Sequence, residues 1–263
     1  MPERILNALK QHPDVEAIAI GGSRAGAHFD AASDYDIYVY VTRPVPEAFR
    51  EQLFADTCTR VEVGNHFWEY EDNGTLNSGT DFDLVYRSLD DFIAGVSAVV
   101  DHGQAHNGYT TCMWHNLIHS RIVYDRNGRL TRFQKQYTVA YPEQLRRNII
   151  AHNMRLLHGS MPSYDGQIRK AVRRGDAVSI QHRTTEFLAS YFDVIFAVNR
   201  QTHPGEKRLV ELCRSQCPVL PEQFEENLSA LFQNMFHSDC MQEIERILRA
   251  LQAVLDAEEA GRP

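Results

Sequence analysis

The sequence is poor in the features that mark secreted, membrane and metal-scaffold proteins. Its 263 residues include five cysteines, an odd number without the paired spacing of a zinc site or the density of a disulfide framework. No apolar run approaches the roughly 18 residues of a membrane span, and the first residues lack the basic and apolar segments of a signal peptide. These absences predict a cytoplasmic protein with reduced thiols and no membrane partner.

An excess of positive charge is also missing. The chain has 27 Lys and Arg against 35 Asp and Glu, a net charge of −8, so a long nucleic-acid track is not expected, although a local basic patch could hold an RNA end. The charge is uneven: residues 1–103 carry a net charge of −11, and residues 119–214 one of +9. An acidic part that binds metal and a basic part that binds phosphates suit phosphate chemistry. For most of these arginines, a solvated helix face is the alternative.

A glycine turn follows the first predicted strand. Val15–Ile20 is apolar enough for a buried strand, and Gly21-Gly22 ends it. Two glycines allow a tight turn and let a ligand approach the backbone without meeting a Cβ atom. Ser23 follows at a predicted helical turn, where free N–H groups attract phosphate. The pattern indicates a phosphate-binding turn.

A pair of carboxylates opens the second predicted strand, which covers residues 37–41. Asp34 and Asp36 stand two residues apart, and alternate residues of a strand point to the same face. Two ionised carboxylates on one face repel each other, and a shared divalent cation relieves that repulsion. The pair therefore indicates a metal site, with a capped surface turn as the alternative.

The glycine turn and the acidic pair together resemble the signature of the polymerase-beta-like nucleotidyltransferases. That signature is Gly-Gly-Ser, a gap of ten residues, and Asp-x-Asp entering an apolar strand, and this chain matches it without substitution. The resemblance implies that Gly22 and Ser23, with Arg24 beside them, hold a nucleoside triphosphate. It also implies that Asp34 and Asp36 are catalytic and bind two Mg²⁺ ions, with ATP or another nucleoside triphosphate as substrate.

The family's third carboxylate is expected on a neighbouring apolar strand. Thr80–Arg87 fits that description, and Asp83 stands directly before Leu-Val-Tyr, as the family pattern implies for the third catalytic and metal-binding acid. Asp81 points to the same face and is a competitor for this role. Glu62 and Glu69 are further acids of the same part of the chain, with a surface position as the alternative for each.

Strands alternating with helices, followed by mostly helices, predict an α/β (α+β) chain of two domains. Residues 1–103 are expected to form the nucleotidyltransferase catalytic domain, with the mixed sheet that the resemblance implies. Residues 104–263 are expected to form a helical bundle that binds substrate and nucleotide, around a long apolar helix capped by Asp176. The segment Glu71-Asp72-Asn73-Gly74 is predicted as a polar turn.

Three segments of the second part resemble a bacterial branch of nucleotidyltransferases, the family called domain of unknown function 4037. They cover residues 108–116, 141–147 and 192–208. The architecture is similar to that of the lincosamide and aminoglycoside nucleotidyltransferases, which implies transfer of AMP to a hydroxyl of a small-molecule acceptor. Transfer to RNA or protein, and a nucleotide-binding regulator without turnover, are the alternatives.

Lys207 is the predicted phosphate contact of the second part. It follows a turn at Pro204-Gly205 and opens a predicted helix. A helix N-terminus disfavours a lysine unless an anion lies nearby, and related small-molecule enzymes are similar in placing a lysine there. Lys207 is therefore predicted to bind nucleotide, with a solvated lysine as the alternative.

Overall fold

A computed structural model describes residues 2–22, 24, 33–67 and 69–260, so Ser23 lies outside the described residues. The strands are β1 (Val15–Ile20), β2 (Tyr35–Val41), β3 (Cys58–Asn65), β4 (Tyr70–Leu76), β5 (Asp81–Arg87) and β6 (Arg121–Asp125). The helices are α1 (Glu3–Gln11), α2 (Glu47–Ala55), α3 (Leu89–Val100), α4 (Cys112–His119), α5 (Arg129–Tyr137), α6 (Glu143–Leu157), α7 (Tyr164–Arg174), α8 (Ala177–Val198), α9 (Leu209–Gln216), α10 (Phe224–Asn234) and α11 (Cys240–Ala260). Within these ranges, no helix combines the length and the apolar character needed to cross a lipid bilayer.

The chain divides into two compact units, and the first of them is discontinuous. It takes Met1–Ser97 and Met113–Val139, whereas the second takes Ala98–Cys112 and Ala140–Pro263. The sequence predicts one division, after residue 103. The structure differs because β6, which lies within the second predicted domain, pairs with β1 and so adds a strand to the sheet of the first unit. The catalytic and substrate-binding roles of the two parts stay a prediction.

The first unit is built on a mixed sheet with the strand order β3-β4-β5-β2-β1-β6. The strands β2 and β5 run parallel, and the other neighbouring pairs run antiparallel. A parallel pair requires a crossover connection, which α2, β3 and β4 provide. This arrangement confirms the predicted α/β class with a mixed sheet, and it places the starts of β2 and β5 at the same end of the sheet.

One face of this sheet carries the apolar core of the first unit. Alternate residues of β1, β2 and β5 point into this core: Ile18, Ile20, Ile37, Val39, Phe82 and Leu84. Helices α1 and α2 cover them, and Leu6, Leu9 and Phe54 of these helices pack against them. Burying each such side chain stabilises the fold by about 1.5–3 kcal/mol. Because strand side chains alternate between faces, the same register turns Asp36 and Asp83 to the opposite face.

The segment Glu71–Gly74 is the middle of strand β4, which corrects the predicted polar turn. Asp72 points to the core face and is fully buried. Its carboxylate accepts hydrogen bonds from Arg50 of α2 and from the hydroxyl of Tyr86 at 2.9 Å, and Gly64 N donates to it at 2.8 Å. An unpaired buried carboxylate would cost several kcal/mol, so this pairing is what allows a polar segment to form an inner strand.

The second unit is a helical bundle around α8. Eight apolar residues of α8 lie in its core: Ile180, Phe187, Tyr191, Phe192, Val194, Ile195, Phe196 and Val198. The helix begins after Asp176, whose carboxylate accepts a hydrogen bond from Ser179 N at 3.0 Å, the cap that the sequence predicts. Helices α6 and α7 pack directly on α8.

A buried carboxylate fixes the segment before α4 within the second unit. Asp193 of α8 accepts hydrogen bonds from Thr110 N at 3.1 Å, from Thr110 Oγ1 at 2.6 Å and from Asn153 Nδ2 at 3.1 Å. Burial raises the pKa of the Asp193 carboxyl to about 6, against the opposing effect of these three hydrogen bonds. The segment is therefore held by a carboxyl whose charge is costly inside the bundle.

Candidate active site

A row of polar side chains crosses the sheet of the first unit on the face opposite the core. In the strand register, Asp36 lies beside Asp83, Asp83 beside Asn73, and Asn73 beside Glu62. Neighbouring strands are about 4.8 Å apart, so the side chains of Asp36 and Asp83 are direct neighbours on this face. The structure thus brings together two of the three predicted catalytic acids.

The glycine turn after β1 lies directly against Asp36. Gly22 has a φ of +58°, and a Cβ atom on it would lie 1.7 Å from Oδ2 of Asp36. A Cβ atom on Gly21 would lie 2.4 Å from Cε2 of Tyr38, and Gly21 N donates to the backbone oxygen of Asp36 at 2.8 Å. Closeness to β2 therefore requires glycine at both positions of the motif.

Asp34 and Arg24 lie at the approach to β2. Asp34 is exposed, one residue before the strand begins. The side chain of Arg24 donates from Nε to the backbone oxygens of Ser33 at 2.6 Å and of Asp34 at 3.2 Å. Its guanidinium also lies 4.0 Å from the centre of the Tyr35 ring. Arg24 thus ties the turn after β1 to the start of β2, while the predicted roles of Ser23 and Arg24 in binding phosphate stay predictions.

The contacts of Asp83 and Asp81 separate the two competing acids of β5. Asp83 is half-buried, and its Oδ1 accepts a hydrogen bond from Asn73 Nδ2 at 2.6 Å. Asp81 is exposed at the first residue of the strand, and its carboxylate accepts from Thr75 Oγ1 at 2.6 Å. Only Asp83 of these two lies beside Asp36 in the register. Its position favours it as the third acid.

The other acids near this face, Glu62, Glu69 and Glu71, differ in their exposure and in their partners. Glu62 is exposed at the outer end of the polar row, and Glu69 forms a two-point ion pair with Arg87, with Nε and Oε2 2.6 Å apart. Glu71, which the sequence places in a turn, is buried on the same face as Asp83. Burial chiefly raises its pKa, and the charges of Asp83 and Glu69 raise it further. No local pattern identifies this residue, because residues 71–74 have the composition of a turn.

An aromatic and cationic pair lies next to Asp36 along the strand. Burial raises the pKa of the Tyr38 phenol, which the positive charge of Arg87 opposes. The guanidinium of Arg87 lies 4.3 Å from the centre of the Tyr38 ring, and its side chain is 9% exposed. The Tyr38 phenol is therefore neutral at physiological pH. Together with Arg87 it lies beside Asp36 along the strand.

The donor atoms at the acid pair suit a hard divalent cation such as Mg²⁺, which prefers carboxylate oxygens. Because Gly22 has no Cβ atom, the carboxylate of Asp36 can lie against the glycine turn, with Oδ2 in the position that a Cβ atom would take. Across the described ranges, no three His, Cys, Asp or Glu side chains are arranged to hold a metal ion, so Asp34 does not join Asp36 and Asp83 in such a group. Asp36 and Asp83 are thus the two predicted ligands that the strand register brings together, and the metal-binding roles of all three acids stay predictions.

Lys207 lies in the second unit, two residues before α9. It is exposed, and the helix is preceded by Arg208, whose φ of 57° lies in the left-handed region. None of the ion pairs formed by the described residues includes Lys207. Its predicted contact with phosphate stays a prediction.

One family model matches the chain. Residues 110–209 match the family described as domain of unknown function (DUF4037), which is less than half of the sequence. The match confirms the resemblance predicted from the segments of the second part. Comparison with curated proteins finds no match.

Three solved structures are similar to the chain at low identity. A nucleotidyltransferase-like protein from Exiguobacterium sibiricum 255-15 is 14% identical, with a TM-score of 0.43, over 97% of this chain and 73% of that one. An aminoglycoside 6-adenyltransferase from Bacillus subtilis is 11% identical, with a TM-score of 0.29, over 97% and 90%. A STING-associated CdnE c-di-GMP synthase from Capnocytophaga granulosa is 14% identical, with a TM-score of 0.30, over 98% and 79%.

Proposed function

We propose that this protein is a Mg²⁺-dependent nucleotidyltransferase that moves AMP from ATP, or the equivalent group of another nucleoside triphosphate, to a hydroxyl of a small-molecule acceptor. One observation carries the proposal. Asp36 and Asp83 are neighbours on adjacent parallel strands, and the glycine turn after β1 lies against Asp36. A phosphate-binding turn beside a pair of carboxylates is the arrangement that nucleotidyl transfer needs.

Asp36 and Asp83 of the polar row, together with Asp34, would hold the metal. Asp34, Asp36 and Asp83 supply only oxygen donors, and Asp34 would have to join the other two when nucleotide binds. Bound magnesium would lower the pKa of the acceptor hydroxyl and neutralise charge on the pyrophosphate leaving group. Without cations, three carboxylates on one face would repel both each other and a triphosphate.

The remaining residues of the site bind and orient. The missing Cβ atoms of Gly21 and Gly22 let the turn lie against Tyr38 and Asp36, so a phosphate bound at this turn would lie close to Asp36. Ser23 and Arg24 would hold the phosphates. In the reaction, the acceptor oxygen bonds to the α-phosphorus, the bond to the bridging oxygen breaks, and pyrophosphate leaves. Asp83, which lies beside Asp36 in the strand register, would take the hydroxyl proton.

Additional cations for the triphosphate would come from the second unit. Residues 1–97 and 113–139 of the first unit carry a net charge of −6, whereas residues 140–214 of the second unit carry +5. Two bound magnesium ions would offset only part of that negative charge, so basic side chains are needed to hold the nucleotide. Lys207 is the candidate for this role.

The decisive experiment is pyrophosphate release from MgATP, measured alone and with mixed small-molecule hydroxyl compounds, with RNA and with protein acceptors. Release that depends on a small-molecule mixture supports the proposal. Release stimulated only by RNA or by protein would replace the acceptor class but keep the chemistry. Binding of MgATP without release under any of these conditions would contradict the proposal and favour a regulator without turnover.

A further inference from the structure

The carboxylate of Asp83 is held by a side chain that the catalytic motif does not include. Asn73 of β4 lies opposite Asp83 in the antiparallel register and donates from Nδ2 to Oδ1 at 2.6 Å. A hydrogen bond to an ionised carboxylate is short and stronger than one between neutral groups. It restricts the rotation of the Asp83 side chain and leaves Oδ2 available to a ligand.

A second amide fixes the direction of that hydrogen bond. Asn65 of β3 donates from Nδ2 to Oδ1 of Asn73, and its own Oδ1 accepts from Phe67 N at 3.2 Å. A side-chain amide offers an oxygen that accepts and a nitrogen that donates. Because its oxygen is already engaged by Asn65, Asn73 presents its nitrogen to Asp83. The reversed amide would place an oxygen against the carboxylate and another nitrogen against the donor of Asn65.

We propose that Asn73 is a positioning residue, which fixes the orientation of the Asp83 carboxylate for metal binding and proton transfer, and that Asn65 supports it through the same chain of hydrogen bonds. The inference rests on the proposed function. Groups that orient a metal-binding side chain typically contribute about 10–100-fold to metal affinity or activity. Asn73 acts on the reaction through Asp83; its side chain also hydrogen-bonds to the carboxylate of Glu71 on the same face.

The same strands provide a matched control. Two residues after Asn73, on the same face of β4, Thr75 donates to the carboxylate of Asp81 at 2.6 Å across the next pair of the register. This bond has the same length and joins the same two strands, but it ends on the acid that does not lie beside Asp36. A loss of sheet stability would affect both positions, whereas a loss of positioning would affect only Asn73.

The experiment compares Asn73→Leu, Asn65→Leu and Thr75→Val with the wild-type protein. Melting temperature establishes folding. Titration of Mn²⁺ in the presence of the α,β-methylene analogue of ATP gives the metal dissociation constant. Pyrophosphate release gives kcat and KM for MgATP. The double variant Asn73→Leu with Asp83→Ala establishes whether Asn73 acts through Asp83.

We expect Asn73→Leu to remain folded, to weaken Mn²⁺ binding about tenfold, and to lower kcat about 10–100-fold with KM for ATP nearly unchanged. Asn65→Leu, which keeps both residues of the site, should change the same quantities in the same direction by a smaller factor. Thr75→Val should match the wild type. Asn73→Leu should add nothing to the loss of Mn²⁺ affinity already caused by Asp83→Ala.

Two results would overturn the inference while leaving the proposed function intact. One is a folded Asn73→Leu variant with wild-type kcat and Mn²⁺ affinity. The other is an equal loss in Asn73→Leu and Thr75→Val, which would assign the effect to the sheet. A wild-type protein that neither binds Mn²⁺ with the analogue nor releases pyrophosphate would overturn the proposed function, and the inference with it.

Discussion

The carboxylate of Asp36 occupies the space in which a side chain on Gly22 would begin. A Cβ atom on Gly22 would lie 1.7 Å from Oδ2 and 2.8 Å from Cγ of Asp36, and the φ of Gly22 is +58°. Asp36 and the turn after β1 are therefore in contact at a position that only glycine satisfies. A substitution at Gly22 has to move the acid, the turn or both.

Gly22→Ala should lower the rate of pyrophosphate release at least tenfold and destabilise the protein by about 1–2 kcal/mol. The first effect follows from displacement of Asp36, and the second from placing a Cβ atom in the left-handed region. Gly95→Ala is the control, because nothing lies within 4 Å of a Cβ atom at that position in α3. Full activity in Gly22→Ala would contradict the contact between the turn and Asp36.

Asp83→Ala should abolish transfer, whereas Asp81→Ala should weaken it only modestly. Both carboxylates face the same side of β5, but Asp83 lies beside Asp36 and Asp81 is exposed at the start of the strand. Rates of pyrophosphate release from MgATP for the two variants give the comparison. The reverse ranking would place the third acid two residues earlier and contradict the assigned site.

The stability of the protein should fall as the pH rises from about 4 to about 6, through Asp193. Burial raises its pKa in the folded protein to about 6, above the ordinary value of 3.8 for an aspartic acid side chain. Within this window the folded state holds a proton that the unfolded chain has lost, so the free energy of unfolding decreases by up to about 1.4 kcal/mol per pH unit. Below the window the contribution is complete.

Urea unfolding of wild type and Asp193→Asn at several pH values measures this effect. Asp193→Asn weakens the hydrogen bonds of this side chain at every pH, so its free energy of unfolding differs from that of the wild type by an amount that does not depend on pH. The wild type should lose stability relative to the variant as the pH rises through the window. Parallel curves for the two proteins would show that the Asp193 carboxyl does not titrate in the folded state as described.

MgATP should raise the melting temperature of the wild type, with a stabilisation of about 2.7 kcal/mol at a hundredfold excess over its dissociation constant. Lys207→Ala should lose much of that shift without a change in the melting temperature of the free protein, because Lys207 is exposed. Lys170→Ala, an exposed lysine of α7 in the same unit, is the control. An unchanged melting-temperature shift in Lys207→Ala would show that Lys207 is a solvated surface residue that does not contact the nucleotide.

The relation between Asp36 and Asp83 depends on a short-range pattern that the sequence displays. Both acids stand at the start of an apolar strand, and alternation fixes the face to which each points. The pairing of β2 with β5 is not contained in that pattern, because parallel neighbours are distant in sequence. The family resemblance supplied that expectation for Asp83, and the register places it beside Asp36.

Strand β4 could not be predicted from the sequence, because the side chains that stabilise it are distant from it in sequence. Asp72 and Asn73 are poor strand formers, and Gly74 adds to the signal of a turn. The carboxylate of Asp72 is compensated by Arg50 of α2, a contact visible only once the fold is known. Asn73 and Glu71, which surround Asp83, were missed for the same reason. The pairing of β6 with β1 also joins segments that are distant in sequence.

The central claim is tested most directly by transfer of the labelled α-phosphate from ATP in the presence of Mg²⁺, by the wild type and by Asp34→Asn and Asp36→Asn. Each substitution should lower the rate at least a hundredfold, about 3 kcal/mol of transition-state stabilisation. Both variants should stay folded, because neutralising one carboxylate relieves repulsion. Wild-type transfer by either variant, at an unchanged melting temperature, would contradict the assignment of these acids to the reaction.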